Sequence, residues 1–425
     1  MAGLNRLSAT EAARKLARRE ITAQALLADC IARVREREPV VHAFTHLDFD
    51  VAMARARALD TQASAGLLHG LPIGVKDVFD TVDMPTAYGS PIYAGHRPAS
   101  DAASVALARA AGAIVLGKTV TTEFATYHPG PTCNPHDPAH TPGGSSSGSA
   151  AAVADAMLPL AFGTQTAGSI VRPAAYCGVV GYKPTFGTVS RVGVKMISDT
   201  LDTIGGLARS VPDAALFVAA VSGRRELVID APVREAPRIG LCRTYEWDRV
   251  QPETRELFDA VGRALRDAGA NLRDVTLPRA FAGLAAAQKT IMVREVAECL
   301  AYERLERPDA LSRELAEMVG QGVAVTNAEY DEARALADNA RGMLAQVFDG
   351  VDVLVAPSTS GEAPAGIDAT GDPLFNRMWT LLRVPCVNVP AGRGPHGLPL
   401  GVSVVGNLHA DGAALRAADW IHARL

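Results

Sequence analysis

SVALARAAGAIVLGKTV, residues 104–120, decides the fold class. Its first ten residues are dominated by alanine and other good helix formers, and its last seven by β-branched residues of a strand. A helix running directly into an apolar strand is the αβ half of a parallel crossover. The same grammar recurs on either side. LPIGVKDVFD (71–80) reads as a strand with one lysine inside it, and RIGLCRT (238–244) as another. Pro252 then opens a helix with Leu257, Val261 and Leu265 at four-residue spacing, ended by Gly269 before the strand NLRDVTL (271–277).

Residues 280–348 read as a helical covering segment, followed by strands VDVLVAP (351–357), VPCVNVP (384–390) and LPLGVSVVG (398–406) and a terminal helix. At the other end, Ser8 and Glu11 suggest a capping box, and Ala12, Leu16, Leu26, Leu27, Ile31 and Val34 keep helical spacing over about 8–37. Strands at both ends imply one sheet assembled from distant segments. The expectation is a single large α/β domain over 1–425, with a mixed β-sheet covered by helices on both faces.

Bulk composition narrows the function. In 425 residues, 42 basic and 46 acidic side chains leave a net charge of −4, with no basic excess for nucleic acid or anionic lipid. Cys30, Cys133, Cys177, Cys242, Cys299 and Cys386 form no CxxC pair in a chain too long to need disulfide staples. They read as reduced, in a cytoplasmic protein. Neither a signal peptide nor an uninterrupted apolar run of spanning length is apparent.

Three stretches carry candidate chemistry. TPGGSSSGSAAAVA (141–154) leads into an alanine-rich element, so it is no linker, and no Lys or Arg lies between Gly143 and Gly168 to serve a phosphate loop. It is either a hydroxyl-rich turn for proton relay or a serine-rich helix entry. Lys76 is flanked by Ile73, Val75, Val78 and Phe79. Desolvation there would yield a neutral amine able to act as a general base; the alternative is an ion pair with Asp77 or Asp80. In GTQTAGSIVRPA (163–174), the amides of Thr166, Ala167, Gly168 and Ser169 could converge as an oxyanion hole, with Arg172 one helical turn on; the alternative is a structural turn with a surface arginine. His128, Cys133, His136 and His140 have spacing reminiscent of zinc ligands, but Pro129, Pro131, Pro135 and Pro138 interrupt them, which favours a rigid wall over a metal site.

GVKD (74–77), PGGSSSGSAAAVA (142–154) and GTQTAGSIVRPAAYCGVVGYKPTFG (163–187), in that order, resemble the amidase signature family, the Ser-cisSer-Lys amidohydrolases. The resemblance spans essentially the whole chain. The SSSGS run, the QT pair and the Ser169 to Arg172 offset are most similar to malonamidase-type bacterial enzymes. It implies Ser169 as the acylated nucleophile, Ser145 after a cis peptide as the bridging residue, Lys76 as base, and no cofactor or metal. Three departures from the commoner family run stand out: Gln165 replaces an Asp, Ala167 replaces a Gly, and the arginine falls three residues after the nucleophile instead of two. Arg172 and Gln165 are therefore expected to meet substrate.

The implied function is hydrolysis of a small primary amide, such as malonamate, with a small molecule as partner, no nucleic acid or membrane, and room for a homodimer. The rivals are the catalytic subunit of a tRNA-dependent amidotransferase and a non-catalytic small-acid binder on the same fold.

Overall fold

In the computed structural model, which describes residues 3–63 and 66–425, the alanine-rich half of 104–120 becomes the helix Ala103–Ala110 and the apolar half the strand Ile114–Thr119. The strands in chain order are β1 (Phe44–Leu47), β2 (Pro72–Lys76), β3 (Ile114–Thr119), β4 (Leu160–Gln165), β5 (Val180–Lys183), β6 (Thr203–Ala208), β7 (Arg238–Leu241), β8 (Asn271–Asp274), β9 (Val353–Pro357), β10 (Cys386–Arg393) and β11 (Pro399–Gly406). They form one 11-stranded sheet in the order β1-β3-β2-β4-β6-β5-β10-β11-β9-β7-β8. β2 runs parallel to both β3 and β4, β7 runs parallel to β8 and β9, and the remaining pairs are antiparallel. The mixed α/β sheet expected from the sequence is therefore present, and the earlier and later parts of the chain meet where β5 pairs with β10.

Strands β2 to β6, β9 and β11 are buried along their whole length. Because side chains alternate between faces, such strands are covered on both sides. β4 shows the division directly: Leu160 and Phe162 join the main core, whereas Ala161 joins a second cluster with Ala150, Val153, Ala174, Cys177, Val179 and Leu207. That second cluster places the small-residue helices Ser147–Ala154 and Val171–Cys177 on the face opposite the main core. Edge strand β8 is mostly exposed and carries Asn271, Arg273 and Asp274, polar residues suited to an unpaired edge.

Some elements depart from expectation. The 71–80 strand stops at Lys76, where Val78 N and Phe79 N both donate to Lys76 O, at 2.8 and 3.0 Å, and turn the chain away. β1, β4, β5 and β6 lie in segments without a strand signal. The 280–348 segment is a series of helices, Leu284–Cys299, Ala301–Glu306, Arg313–Ala324, Asn327–Gly342 and Leu344–Val347. Ser8 Oγ accepts from Glu11 N at 3.1 Å, and a full reciprocal capping box occurs at Thr326 with Glu329. Among the described residues no helix is long and apolar enough to cross a membrane, and all six cysteines are free.

The helix carrying the SSSGS residues packs without room for one added carbon. A Cβ on Gly148 would lie 2.1 Å from Ala43 O and 2.4 Å from Val120 N, both backbone atoms that cannot rotate aside. Gly148→Ala is expected to lower stability in urea unfolding by about 2–3 kcal/mol. Gly320→Ala, in an exposed helix position with nothing within 4 Å, should be neutral or raise it by up to about 1 kcal/mol. Equal midpoints for the two variants would contradict this packing.

Candidate active site

Because β2 and β4 are parallel neighbours, their C-terminal ends deliver Lys76 and Thr164 to the same place. Lys76 is fully buried and donates to Ser145 Oγ at 2.7 Å, Thr164 Oγ1 at 2.7 Å and Ser146 Oγ at 3.1 Å. All three partners are neutral hydroxyls. Burial holds the amine well below its ordinary value, opposed only by the charge of Asp202. The alternative ion pairs are taken elsewhere: Asp77 faces Lys118 at 3.3 Å, and Asp80 accepts from Tyr88 OH at 2.7 Å. Lys118 keeps that carboxylate and is lowered only to about 8, again by burial.

Ser145 follows the only cis peptide among the described residues, Gly144–Ser145. The turn entering it needs glycine at Gly143, where φ is +78° and a Cβ would come within 2.9 Å of Pro173 Cα. Gly144 O accepts from Arg172 Nη2 at 2.7 Å and Nε at 3.2 Å, and Ser146 N donates to Ser169 O at 3.3 Å. The 142–147 and 165–172 loops are thereby sewn together. The serine run is a turn whose Ser145 and Ser146 hydroxyls meet Lys76 and which continues into the helix Ser147–Ala154.

The 166–169 loop has an asymmetry. Every carbonyl is held: Thr166 O by Gln288 Nε2 (2.8 Å), Ala167 O by Thr380 Oγ1 (2.8 Å), Gly168 O by Arg172 N (2.8 Å) and Ser169 O by Ser146 N. The amides of Thr166, Ala167, Gly168 and Ser169 donate to no acceptor among the described residues. Ala167 and Gly168 both have negative φ, so alanine costs nothing there. Ser169 Oγ has no hydrogen-bond partner among the described residues either, and no bond joins it to Ser145 in this conformation. It faces a cavity of about 20 Å³ lined by Tyr127, Thr166, Ala167, Arg172, Met292 and Met318.

Two residues expected to meet substrate also hold the scaffold, and of the two only Arg172 lines the cavity. Gln165 Oε1 accepts from Ile170 N (2.9 Å) and Val171 N (3.0 Å), and its Nε2 donates to Thr380 Oγ1 (3.0 Å), so it caps the Val171–Cys177 helix. Its side chain points away from the cavity because a neutral amide carbonyl serves those two amides. Arg172 is buried, not on the surface, and gives four of its five N–H groups to Gly144 O, Gly371 O and Thr370 Oγ1. Burial lowers it to about 10.

Other contributors had no readable signal. Thr164 and Ser146 complete the lysine's shell. Asp202 takes the Thr166 hydroxyl and the amides of Ile197 and Ser198, and burial raises it to about 6. Thr380, Gln288 and Arg377 come from distant helices, and only the tertiary fold brings them near. The 128–140 residues do not gather: His128 contacts Glu314, Cys133 Sγ approaches Val40 O, and His136 Nε2 meets Cys177 O. Among the described residues no three His, Cys, Asp or Glu side chains cluster as metal ligands.

A buried amine on a serine hydroxyl, an adjacent unpartnered serine and four free amides form the constellation of acyl transfer through a serine ester. The family described as "Amidase" matches residues 25–415. A glutamyl-tRNA(Gln) amidotransferase subunit from Acidothermus cellulolyticus is 36% identical, over 98% of this chain and 95% of that protein. A solved structure described as an amidase superposes with a TM-score of 0.90 at 32% identity, covering 99% of this chain and 100% of the other. The peptide amidase of Stenotrophomonas maltophilia gives 0.84 at 29% identity, covering 99% and 97%.

If Lys76 must be neutral to activate the serines, fluorophosphonate labelling of Ser169 should accelerate with pH through an apparent pKa below 10.5, since deprotonation of the lowered amine creates the base. Peptide mapping should place the label on Ser169. A flat pH profile or label on another serine would break the assignment.

Proposed function

The chain belongs to the amidase family, and from that premise we propose that it hydrolyses a small primary amide, a dicarboxylic acid monoamide such as malonamate, to acid and ammonia through a Ser169 ester. The enzyme class, an amidase cleaving carbon–nitrogen bonds, follows from the family and from the solved amidases it superposes on. The observation that carries the reaction route is the pairing of Lys76 with Ser145 beside four free amides.

Neutral Lys76 takes the Ser145 proton as Ser145 takes that of Ser169, and Ser169 Oγ bonds to the amide carbon. The carbonyl oxygen becomes an oxyanion received by the 166–169 amides. The relay then returns the proton to nitrogen, the C–N bond breaks and ammonia leaves. Water adds to the ester by the same relay, releasing the carboxylic acid and restoring Ser169. The missing Ser145–Ser169 bond is the kind of contact that tightens only when substrate fills the site. No step calls on a cofactor or metal. A cavity of about 20 Å³ has room for little more than one water, so the flexible Met292 and Met318 must yield to admit a substrate.

A second reading is supported by the 36% identity to an amidotransferase component. In it the same chemistry releases ammonia to a partner protein. Among the described residues, none of those lining the small cavity beside Ser169 is an Asp or Glu. The free cysteines suit a cytoplasmic enzyme in either case.

Ammonia release should be seen from short dicarboxylic monoamides with the chain alone, and Ser169→Ala should lower it at least ~10⁴-fold, about 5.5 kcal/mol of barrier. Activity on glutamine that appears only when partner proteins are added would favour the second reading. Lys76→Ala and Ser145→Ala each break one relay, so their double variant should be no slower than the worse single. Multiplicative losses would argue against a shared relay. Arg172→Leu should slow neutral and acidic amides alike, because Gly144 O and Gly371 O lose their donors; losses confined to acidic amides would make Arg172 a substrate ligand instead.

A further inference from the structure

Arg377 is the second buried guanidinium at this site, 8% exposed, with no carboxylate at ion-pairing distance among the described residues. Its Nη1 donates to Gln288 Oε1 at 2.6 Å and its Nη2 to Tyr127 OH at 3.1 Å. Three of its five N–H groups are thus without an acceptor among the described residues, whereas Arg172 has only one left. The two cations repel each other, and Asp372, whose charge reaches Arg172, is exposed and turns its Oδ1 to Leu374 N at 3.0 Å. Burying a guanidinium without a counter-charge is costly, and a ligand anion relieves that cost.

Both contacts of Arg377 lead to the reacting centre. Tyr127 lines the cavity beside Ser169, and since its oxygen accepts from Arg377 its own proton is left for a ligand. Gln288 donates from its other end to Thr166 O at 2.8 Å, fixing Arg377 at one side-chain's remove from the free amides.

We propose that Arg377 and the Tyr127 hydroxyl receive the substrate's carboxylate, while Arg172 braces the loops. This rests on the amidase reading above and narrows it. The substrate is an amide carrying a carboxylate a short distance from the scissile carbonyl, because Arg377, which stands behind the cavity-lining Tyr127, and the Tyr127 hydroxyl together offer a cation and a hydroxyl donor with no acid paired to them among the described residues. Spacing matters as much as charge. The clamp and the oxyanion amides are joined through one glutamine, so an acid with a long spacer would not reach both.

Malonate and succinate binding by calorimetry, and kcat/KM for malonamate and the neutral malonamide, test this in the wild type, Arg377→Gln, Arg377→Lys and Tyr127→Phe. Arg377→Gln should weaken malonate binding at least tenfold and lower the malonamate-to-malonamide ratio of kcat/KM at least tenfold, mainly through KM. Arg377→Lys should recover part of both, since a point charge replaces the fork incompletely. Tyr127→Phe, which removes only a hydroxyl, should lower both at least threefold and decides the matter if Arg377→Gln does not fold. Wild-type protein that binds neither diacid, or folded variants that keep the wild-type ratio and affinity, would overturn the proposal. Wild-type protein that binds malonate but releases ammonia from no amide would instead overturn the amidase reading and leave the receptor standing.

Discussion

The site depends on one constraint: an amine buried to zero exposure with hydroxyls for company and no carboxylate. An acid beside a lysine favours its charged form, as Asp77 does for Lys118. Lys76 has the same strand setting but a different shell. Its three hydrogen-bonding directions are met by Ser145, Ser146 and Thr164, hydroxyls that satisfy the amine without supplying a counter-charge. The opposing charge that reaches it, Asp202, is itself raised by burial and engaged with Thr166 and two amides.

A second constraint follows in the loop that receives the oxyanion. Four amides can stay free only if the backbone is held from its other side, and here each of the four carbonyls has its own donor. Gln288 comes from the helix Leu284–Cys299, Thr380 from Leu374–Leu381, and Ser146 from the serine turn. Preorganisation of this kind costs nothing at the moment of reaction because the donors are already aimed. It also explains why Gln165 can replace an acid: two helix amides and Thr380 require one acceptor and one donor, and a carboxamide supplies both, so this residue adds no negative charge beside the developing oxyanion.

Much of this is legible in sequence where chemistry is local. The helix–strand alternation at 104–120, the late strands and the lysine among β-branched residues all rest on short-range pattern, and each element lies within a few residues of its expected place. β4 and β6 carry no strand signal because LAFGTQ and TIGGLA are small-residue runs buried on both faces, without the alternation that marks a half-exposed strand. For Arg172, one helical turn after Ser169 sets direction but not depth, so spacing could not tell a substrate ligand from a buried brace. Arg377, Gln288 and Thr380 lie more than 100 residues from the nucleophile, and no periodicity can report that they share its loop.

The two arginines show why depth matters more than motif. By spacing alone Arg172 is the obvious anion receptor, being the nearest cation to Ser169 in sequence. Four of its five N–H groups, though, are engaged by Gly144 O, Gly371 O and Thr370, and releasing Gly144 O would loosen the turn that presents Ser145 to Lys76. A guanidinium that must stay put cannot also change partners with every turnover. Arg377 can, because Gln288 and Tyr127 fix its plane through two N–H groups and leave the remainder for a ligand. Bracing and recognition therefore fall to different residues at the same site, which lets the acyl-transfer geometry stay constant while substrate choice is tuned on a separate helix.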